Sequence, residues 1–353
     1  MLLLDMWYQS FSSCPLSVIL YAESGRIVFP AAKRKVLLLG RSAGDPGMIC
    51  VFKCIILCSI QLIHQDISEG SLALPVTVVT VAFGNRQVVQ TWTEQWSRAG
   101  ANCIITNNGS AVPAGVTGDA IVLQSPVNSG FGAGINLAVQ RAETPVVLIT
   151  NPDTLPVAPD ALKTLTDFHT RGSLSGSRTV NSAGREVYST GTWPTVKWVR
   201  SQVFRPAGTL WRKDSIDWLQ GSLIMVHRDD FLQLGGFARN YPLYFEDVDL
   251  CFRARKQGMK VDFCEESSFI HNEGSGSEKA VSSRLSCFHW GMLEFFKSND
   301  SVNAALVRRI IIAKCILRLF VYAPTDREAF KGYYRALQSV YSSTAPVLPG
   351  RGQ

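Results

Sequence analysis

Three carboxylates lie close together in the stretch Tyr244–Arg253, where Glu246, Asp247 and Asp249 occupy three of four consecutive positions among apolar and aromatic residues. A carboxylate at the edge of a pocket can take a proton from a hydroxyl group. Acids in a first turn also stabilise a helix through its dipole, and Asp249 precedes Arg253 by the four residues of a helical ion pair. The stretch therefore predicts a helix start whose acids serve catalysis, helix stability or both.

A fourth carboxylate and a histidine are two further candidate metal ligands. Asp153 follows the strand-like run Leu148–Thr150, and His271 follows Phe269-Ile270 at the start of a Gly- and Ser-rich segment. Carboxylate oxygens suit Mg²⁺ or Mn²⁺, which often share them with substrate phosphates. A histidine at a strand end beside a flexible loop could also ligate a metal. An aspartate that caps a turn and a purely structural histidine are the alternatives.

Glycines occur at every second position in the loop predicted over residues 128 to 136, Asn-Ser-Gly-Phe-Gly-Ala-Gly-Ile-Asn. Glycine lets backbone amides approach a ligand closely, and the N-terminus of a following helix favours anions. The pattern fits a phosphate-binding loop, and it fits a plain flexible loop as well.

Strand and helix patterns alternate from Pro75 onward, and they must position these residues. The predicted strands end at polar loops at 84–86, 107–110 and 151–154, the second of which is the turn signal Asn107-Asn-Gly-Ser110. Alternation of this kind predicts a parallel α/β sheet, in which ligands bind at the carboxyl ends of the strands. The predicted strands are Val76–Phe83, Asn102–Thr106, Ile121–Leu123 and Val146–Thr150, and the predicted helices are Val88–Ala99 and Asn136–Arg141.

The composition is that of a globular protein with an ample core, since 46% of the 353 residues are hydrophobic and 18% are charged. The net charge is +7, and residues 301 to 335 contribute seven basic and two acidic side chains. This local excess favours an anionic surface such as a membrane over a nucleic acid. The run 302–322 predicts a basic amphipathic helix, which either lies on a membrane or packs on the domain with its basic residues outward.

The nine cysteines include no C-x-x-C pair, which argues against a zinc ribbon and fits a reducing cytoplasm. No apolar run reaches the ~18 residues of a spanning helix. The protein is therefore expected in the cytoplasm, with peripheral contact at the inner face of the cell membrane. Residues 1–72 lack a sustained period, and the run 35–39 within them could form a strand.

Five ordered blocks give the chain a family resemblance between about residues 74 and 297. It resembles family 2 glycosyltransferases of the GT-A fold, in particular rhamnosyltransferase-like and galactofuranosyltransferase-like members. The resemblance implies an α/β fold with a Rossmann-like, mostly parallel sheet flanked by helices, followed by a C-terminal helical segment. The blocks are Val76–Asn85, Ile104–Ser110, Asn128–Asn136, Leu148–Thr154 and Asp217–His271.

The resemblance implies a role for each acid. Asp247 matches the catalytic base, and Glu246 is its neighbour at the pocket rim, whereas Asp249 is expected to pair with Arg253. Asp153 matches the acid that binds a divalent metal, Mg²⁺ or Mn²⁺, at the donor diphosphate. His271 matches a histidine that assists metal or diphosphate binding in some relatives.

Substrate contacts are implied in the same way, for a nucleotide-diphosphate sugar donor and a glycan or lipid-linked acceptor. Phe83 and Asn107 match positions near the nucleobase, and Asn128 with the following glycines matches the nucleotide-sugar loop. The expected substrate-binding residues are Phe83, Asn85, Asn107, Asn128, Gly130, Phe131, Gly132, Asn136, Trp218, Gln220 and Gly221.

The chain departs from the family pattern at three places. Asn107 stands where relatives usually carry Asp, the metal motif Asn151-Pro-Asp153 holds one carboxylate, and the usual Asp after Phe237 is missing. An amide can still bond a pyrimidine edge. The first two departures leave the nucleotide base and the metal dependence open.

The sequence thus predicts an inverting transferase that moves a sugar, rhamnose by branch similarity, onto a hydroxyl of a cell-envelope polysaccharide or lipid-linked acceptor. The alternative is a catalytically inactive carbohydrate- or nucleotide-sugar-binding protein of the same fold. A sugar nucleotidyltransferase is disfavoured, because no lysine-containing phosphate loop follows the first strand. Three regions are expected: an N-terminal extension (1–72), the glycosyltransferase domain (73–300) and the C-terminal helical segment (301–353).

Overall fold

The computed structural model describes residues 76–84, 86–109, 119–187, 189–203, 216–272 and 281–348, with the backbone of four residues further upstream. The chain divides into two compact units, Met1–Ser71 and Leu72–Gln353. In the first unit, Ile19–Leu20 and Leu37–Leu38 form two short parallel strands, the second within the run where a strand was expected. The rest of the predicted N-terminal extension lies outside the described residues.

One mixed sheet forms the centre of the second unit. Its strand order is β3-β2-β1-β4-β10-β6-β11-β5, with β7 paired to β6, and the short strands β8 and β9 form a separate pair. β10 and β5 run antiparallel to their long neighbours, while the other long strands are parallel. The strands are β1 (Val76–Ala82), β2 (Asn102–Asn108), β3 (Ile121–Ser125), β4 (Val146–Thr150), β5 (Thr154–Pro156), β6 (Ser173–Val180), β7 (Glu186–Val187), β8 (Thr190–Gly191), β9 (Trp218–Leu219), β10 (Leu223–His227) and β11 (Lys260–His271).

Helices cover both faces of this sheet. The central strands β1, β4 and β10 are apolar at most positions, because both of their faces are buried. The helices of the described residues are α1 (Arg86–Arg98), α2 (Phe131–Arg141), α3 (Ala161–Phe168), α4 (Val196–Ser201), α5 (Arg228–Gln233), α6 (Glu246–Lys256), α7 (Val281–Asn299), α8 (Ser301–Tyr322) and α9 (Arg327–Ser342).

Two hydrophobic clusters divide the core between the two faces. Val78 of β1 packs with Trp92 and Trp96 of α1 in one cluster. Val79, the next residue of β1, belongs to the other cluster with Ile135 of α2, because successive side chains of a strand point to opposite faces. The core thus fixes α1 and α2 on opposite sides of the sheet.

The predicted fold class is confirmed, with a mostly parallel sheet between helices and helices at the C-terminus. Two local predictions are wrong. Asn107 and Asn108 belong to β2 and not to a turn, since their side chains find partners at the sheet edge. The predicted loop over residues 128 to 136 becomes helical at Phe131.

The C-terminal helix α8 turns most of its cations inward, which contradicts the expected outward basic face. Lys314 is only 4% exposed. Arg308 donates to the carbonyl of Val340 (3.1 Å), and Arg318 donates to the carbonyl of Val203 (3.4 Å). Of the four basic residues of α8, Arg309 alone is exposed. Among the described residues no helix is both long and apolar enough to cross a membrane.

Candidate active site

The strand register brings the two distant acidic regions to one edge of the sheet. Leu223 at the start of β10 pairs with Thr150 at the end of β4. Since the two strands are antiparallel, Gly221 and Ser222 leave the sheet beside Asn151 and the residues that follow it. Gly221 in turn contacts Asp247, which links the region of Asp153 to the start of α6.

Asp153 and His271, the two predicted metal ligands, lie beside each other. Thr154 of β5 pairs with His271 at the end of β11, and Nε2 of His271 lies 3.6 Å from Oδ1 of Asp153. Asn151 Nδ2 lies 3.2 Å from the same Nε2. Which of the two groups donates this hydrogen bond depends on which ring nitrogen of His271 carries a proton. In the tautomer with its proton on Nδ1, Nε2 could offer its lone pair to a metal ion in place of the contact with Asn151.

These residues fit a divalent cation that is shared with a substrate. Ligands about 2.1 Å from Mg²⁺ lie at most about 4.2 Å apart, so one ion could contact both Asp153 and His271. No group of three His, Cys, Asp or Glu side chains suited to a metal occurs in the described part of the chain. The cation would therefore need oxygen ligands from water and substrate phosphates, as Mg²⁺ commonly has.

Two tryptophans of α1 hold the Asn151–Asp153 segment from both sides. Trp92 Nε1 donates to Thr150 Oγ1 (3.0 Å), and Trp96 Nε1 donates to the carbonyl of Thr154 (3.0 Å). Thr80 Oγ1 of β1 also donates to the carbonyl of Thr150 (2.9 Å). Both tryptophans are completely buried. The loop that carries Asp153 is thus tied to the core at each of its ends.

Asp247 is held by two backbone amides and remains partly exposed. Gly221 N–H donates to its Oδ2 (2.8 Å), and Val248 N–H donates to its Oδ1 (2.8 Å). Burial raises the pKa of Asp247 above its usual value, and the amide bonds oppose that shift by favouring the carboxylate. Each oxygen keeps a lone pair that could accept a proton.

Glu246 has a different environment, although it is the next residue. Its side chain is 4% exposed, and Oε2 has no hydrogen-bond partner among the described residues. Burial, and then the neighbouring charge of Asp247, raise the pKa of Glu246 well above its usual value. The expected position at the pocket rim is therefore wrong for Glu246. It belongs to the core, where its neutral form is favoured.

Asp249 has the structural role that its spacing predicted. Its Oδ2 accepts from Arg253 Nε (2.7 Å), and its Oδ1 accepts from Tyr241 Oη (3.4 Å). Arg253 also donates to the carbonyls of Leu234 and Gly236. The pair therefore fixes α6 to the turn after α5.

The glycine-rich segment packs tightly against neighbouring loops. Gly130 has a φ of +92°, and a Cβ at this position would collide with the carbonyl oxygen of Pro242. A Cβ at Gly132 would lie 2.8 Å from Cβ of Phe237. Both ends of the Asn136 amide bond the backbone of Phe237, at 2.8 Å each. These contacts give Gly130, Gly132 and Asn136 structural roles, and their predicted substrate contacts stay predictions.

Asn108 is a positioning residue that the sequence did not single out. Its Nδ2 donates to Asn128 Oδ1 (3.1 Å) and to the carbonyl of Gly130 (2.9 Å). Its Oδ1 accepts from both the amide (3.2 Å) and the hydroxyl (3.0 Å) of Ser129. The amide of Asn108 thus fastens the start of the glycine-rich segment to the end of β2. An asparagine at the end of a predicted strand was the only available signal.

Of the remaining predicted substrate-binding residues, some are exposed and others are buried. Phe83 is largely exposed just after β1, whereas Asn107 is buried and donates to Gln124 Oε1 (2.9 Å). A Cβ at Gly221 would lie 3.1 Å from Cε1 of Phe131, so the Phe131 ring stands beside the Gly221–Asp247 bond. Asn85 lies outside the described residues.

The segment before β10 is bonded to the loop after β7. Trp218 is buried, and its Nε1 donates to the carbonyl of Thr192 (3.0 Å). The backbone N–H of Gln220 donates to the carbonyl of Ser189 (2.8 Å). Trp218, Gln220 and Gly221 are thus held as one segment between the Asp153 and Asp247 sides of the site.

Similar curated proteins are sugar transferases. The low-salt glycan biosynthesis hexosyltransferase Agl10 of Haloferax volcanii is 27% identical over 163 residues, 44% of this chain and 52% of that protein. The N-acetylglucosaminyl-diphospho-decaprenol L-rhamnosyltransferase of Mycobacterium tuberculosis is 29% identical over 112 residues, 31% of this chain and 35% of that protein. Rhamnosyltransferase WbbL of Escherichia coli is 27% identical over 92 residues, 26% of this chain and 34% of that protein.

The match covers about half of the Haloferax protein and about a third of the other two. These relatives confirm the predicted resemblance to rhamnosyltransferase-like glycosyltransferases. No protein-family model matches the chain. A solved mannosyltransferase from Pyrobaculum calidifontis, in complex with GDP-Man and Mn²⁺, aligns with a TM-score of 0.46 and 13% identity, over 78% of this chain and 76% of that one.

Proposed function

We propose that this chain is an inverting glycosyltransferase that moves a sugar from a nucleotide-diphosphate donor to an acceptor hydroxyl. The observation that carries the proposal is the 2.8 Å bond from Gly221 N–H to Asp247 Oδ2. Gly221 lies two residues before Leu223, which pairs with Thr150 next to the Asn151–Asp153 segment. One segment thereby joins a carboxylate suited to proton transfer and a carboxylate suited to a diphosphate-bound cation.

Asp247 is the proposed general base. The proton of the acceptor hydroxyl passes to its carboxylate while the hydroxyl oxygen forms a bond to the anomeric carbon. The bond from that carbon to the diphosphate breaks, and its electron pair stays on the phosphate oxygen. The amide bonds to Gly221 and Val248 orient the carboxylate. The raised pKa makes Asp247 a stronger base than an ordinary aspartate, provided that it is ionised.

Asp153 and His271 are the proposed ligands of Mg²⁺ or Mn²⁺, with Asn151 beside them. A bound cation would supply positive charge next to the leaving diphosphate. The protein's own contribution is to present one carboxylate oxygen and one imidazole lone pair 3.6 Å apart. Trp92 and Trp96 keep the loop in place at the ends of this segment.

The proposed donor site follows the edge of the sheet from β1 to α2. Phe83, Asn85 and Asn107 are assigned to the nucleobase side, and Asn128 and the N-terminus of α2 to the sugar diphosphate. The bond from Asn107 to Gln124 supports an uncharged environment on the nucleobase side. Trp218 and Gln220, with Phe131 beside Gly221, are assigned to the sugar and acceptor side.

Rhamnose is the proposed sugar, since two similar proteins carry rhamnosyltransferase names. The proposed acceptor is a glycan or a lipid-linked cell-envelope intermediate. The name of the Mycobacterium relative gives N-acetylglucosaminyl-diphospho-decaprenol, a lipid-linked sugar, for that protein. A lipid-linked acceptor resides in a membrane. We therefore also propose that the chain works at the cytoplasmic membrane surface, through peripheral contact by residues 302–322.

A donor screen with a matched pair of variants tests the proposed reaction. Purified full chain is offered nucleotide sugars with Mn²⁺ or with chelator, and donor hydrolysis and donor affinity are measured. Asp247→Asn should lower turnover by about 10²–10⁴-fold, because general-base catalysis is lost, with donor affinity unchanged. Asp229→Asn, at an exposed carboxylate, serves as the control and should keep full activity.

Wild-type turnover in Asp247→Asn would show that another group is the base. Donor binding without any hydrolysis in the wild type would instead favour a nucleotide-sugar-binding protein without catalysis. The single carboxylate of the Asn151–Asp153 motif motivates that second candidate. Chelator should weaken donor binding in the wild type, and Asp153→Asn should make donor binding insensitive to Mn²⁺.

A further inference from the structure

Helix α8 presents an apolar stripe that no described part of the chain covers. Its exposed large side chains lie on one face of the helix, two near its start and four near its end, over about five turns in all. Val302 is 90% exposed, and Phe320 near the other end is 77% exposed. The opposite face packs inward through Val307, Ile311 and Cys315. The exposed large apolar residues of the stripe are Val302, Leu306, Ile316, Leu317, Phe320 and Val321.

The stripe carries one cation and no anion. The sequence of α8 contains no Asp or Glu. Arg309 is exposed near the middle of the stripe, while Lys314 is buried and Arg308 and Arg318 bond main-chain carbonyls. Contiguous exposed apolar surface of this kind on a globular domain marks an interaction site.

The neighbouring helix α9 adds cations and tyrosines. Arg327, Lys331 and Arg335 are exposed, and Lys331 alone among them has a carboxylate partner in the described residues, Glu328 at 2.8 Å. Arg308 donates to the carbonyl of Tyr341, which places this largely exposed tyrosine beside α8. Apolar residues flanked by tyrosine and by basic side chains are the composition of helices that lie in a membrane interface.

From this arrangement we infer that the apolar stripe of α8 docks on an anionic lipid bilayer, with α8 lying in the plane of the interface. The inference refines the membrane contact proposed above. In the refined contact, an apolar face of α8 and not a basic face meets the membrane. The cations that meet the lipid headgroups are Arg309 and the basic residues of α9. The inference does not depend on the chemistry at Asp247.

A second copy of the chain is a less suitable occupant. In a two-fold symmetric contact the same patch meets itself, so residues near its centre lie close to their symmetry mates. Arg309 near the middle of the stripe would then face another Arg309, without an acid on either α8 helix to compensate the charge. Phosphate headgroups provide that charge in an anionic bilayer.

Vesicle flotation of the full chain tests the inference. The vesicles are phosphatidylcholine alone or phosphatidylcholine with phosphatidylglycerol, at low salt. The wild type should float with the anionic vesicles, and Phe320→Asp should bind at least about tenfold more weakly, because an aromatic anchor is replaced by a charge. Phe168→Asp is the matched control, an exposed phenylalanine at the end of α3, and should bind like the wild type.

A milder double variant, Ile316→Ser with Leu317→Ser, keeps the test valid if Phe320→Asp does not fold, as judged by circular dichroism. A wild type that does not float, or stripe variants that float like the wild type, would overturn the inference. So would light scattering that shows a wild-type dimer converted to a monomer by the same variants. Donor hydrolysis should be unchanged in the stripe variants, so failed docking and failed glycosyl transfer are distinguishable.

Discussion

Glu246 and Asp247 are adjacent at the start of α6, but the turn that precedes them buries the first and leaves the second partly exposed. Tyr244 and Phe245 both have left-handed backbone conformations, with φ of 67° and 70°. Each such residue costs on the order of 1–3 kcal/mol unless its surroundings fix it. The Phe245 ring is buried against Phe288 and Phe295, with centroids 5.4 and 6.2 Å away, which offsets part of this cost. The turn directs Glu246 into the core and leaves Asp247 partly exposed.

Substitution of Glu246 tests whether it is a buried neutral acid. Its folded-state pKa lies above the ordinary value of 4.5, so the folded protein keeps a proton that the unfolded chain releases. The contribution of Glu246 to the free energy of unfolding is complete below pH 4.5. It is lost as the pH rises through the raised pKa of the folded state. Glu246→Gln has no proton to lose at this position, so it does not show this loss of stability at higher pH. The wild type should therefore lose stability relative to Glu246→Gln between pH 5 and pH 8, as measured by urea unfolding.

Exposed Glu265 provides the control for this prediction. Glu265→Gln should follow the pH dependence of the wild type. Turnover of Glu246→Gln should stay close to the wild-type value, since the amide replaces a carboxyl that is already neutral. Parallel stability curves for the wild type and Glu246→Gln would mean that Glu246 is ionised in the folded protein.

At the scale of elements, α7 supports the turn that carries the proposed base. A Cβ at Gly291 would lie 2.7 Å from the carbonyl oxygen of Tyr244, so α7 can approach this turn only with glycine at that position. Gly291→Ala should lower kcat by displacing Asp247, although alanine favours a helix by about 1 kcal/mol over glycine. Steady-state kinetics and thermal unfolding of the same preparation measure both effects.

Gly332 of α9 is a matched control for that prediction. A Cβ there would lie 2.7 Å from Leu285 Cδ1 and 3.0 Å from Ser282 Cα, and its nearest atoms include none of the turn. Gly332→Ala should therefore lower Tm without a matching loss of kcat in the molecules that remain folded. Equal kinetic losses in the two variants would show that α7 acts on general stability only.

The sequence was sufficient to predict those strands and helices whose local pattern agrees with their tertiary environment. The β-branched run of β1 and the acids that open α6 predicted a strand and a helix start that the structure contains. Asn107 and Asn108 look like turn residues, but bonds to Gln124 and to the loop after β3 keep them in β2. Local propensity cannot anticipate such long-range partners.

The start of α2 was missed for a related reason. Glycine has a poor helix propensity, yet the close packing of Gly132 on Phe237 and of Gly134 on Val81 requires it within the helix. The pairing of Asp153 with His271 was accessible from the sequence only through the family resemblance. The support of that loop by Trp92 and Trp96 depends on side-chain directions that no spacing in the sequence specifies.

Across the whole molecule, charge is concentrated in the C-terminal helices, and part of it is buried there. Lys314 lies inside near Arg318 and His289, and no described carboxylate pairs with it. Burial lowers the pKa of Lys314 to about 8 from its ordinary 10.5. A buried, unpaired ammonium opposes folding. The C-terminal helices are therefore less stable at neutral pH than their apolar packing alone would make them.

Lys314→Met should stabilise the protein by about 1–3 kcal/mol at pH 7, because a side chain of similar size replaces a buried charge. Between pH 8 and 10.5 the folded lysine is neutral while the unfolded lysine still binds a proton, so wild-type stability rises with pH. The advantage of the variant should shrink over that range. Burial raises the pKa of Cys315 and of Tyr333 to about 12 and lowers that of His289 to about 3, so none of these neighbours changes charge between pH 7 and 10.

Urea unfolding at pH 7 and pH 10 measures the effect, with Lys331→Met as the control. Lys331 is exposed and pairs with Glu328, so its replacement should change stability by less than about 1 kcal/mol at either pH. A Lys314→Met variant that is less stable than the wild type at pH 7 would mean that the ammonium has an anionic partner. In that case the inward-facing cations of α8 would be part of a charge pair. The lipid contact would then account only for the apolar stripe on the outer face of the helix.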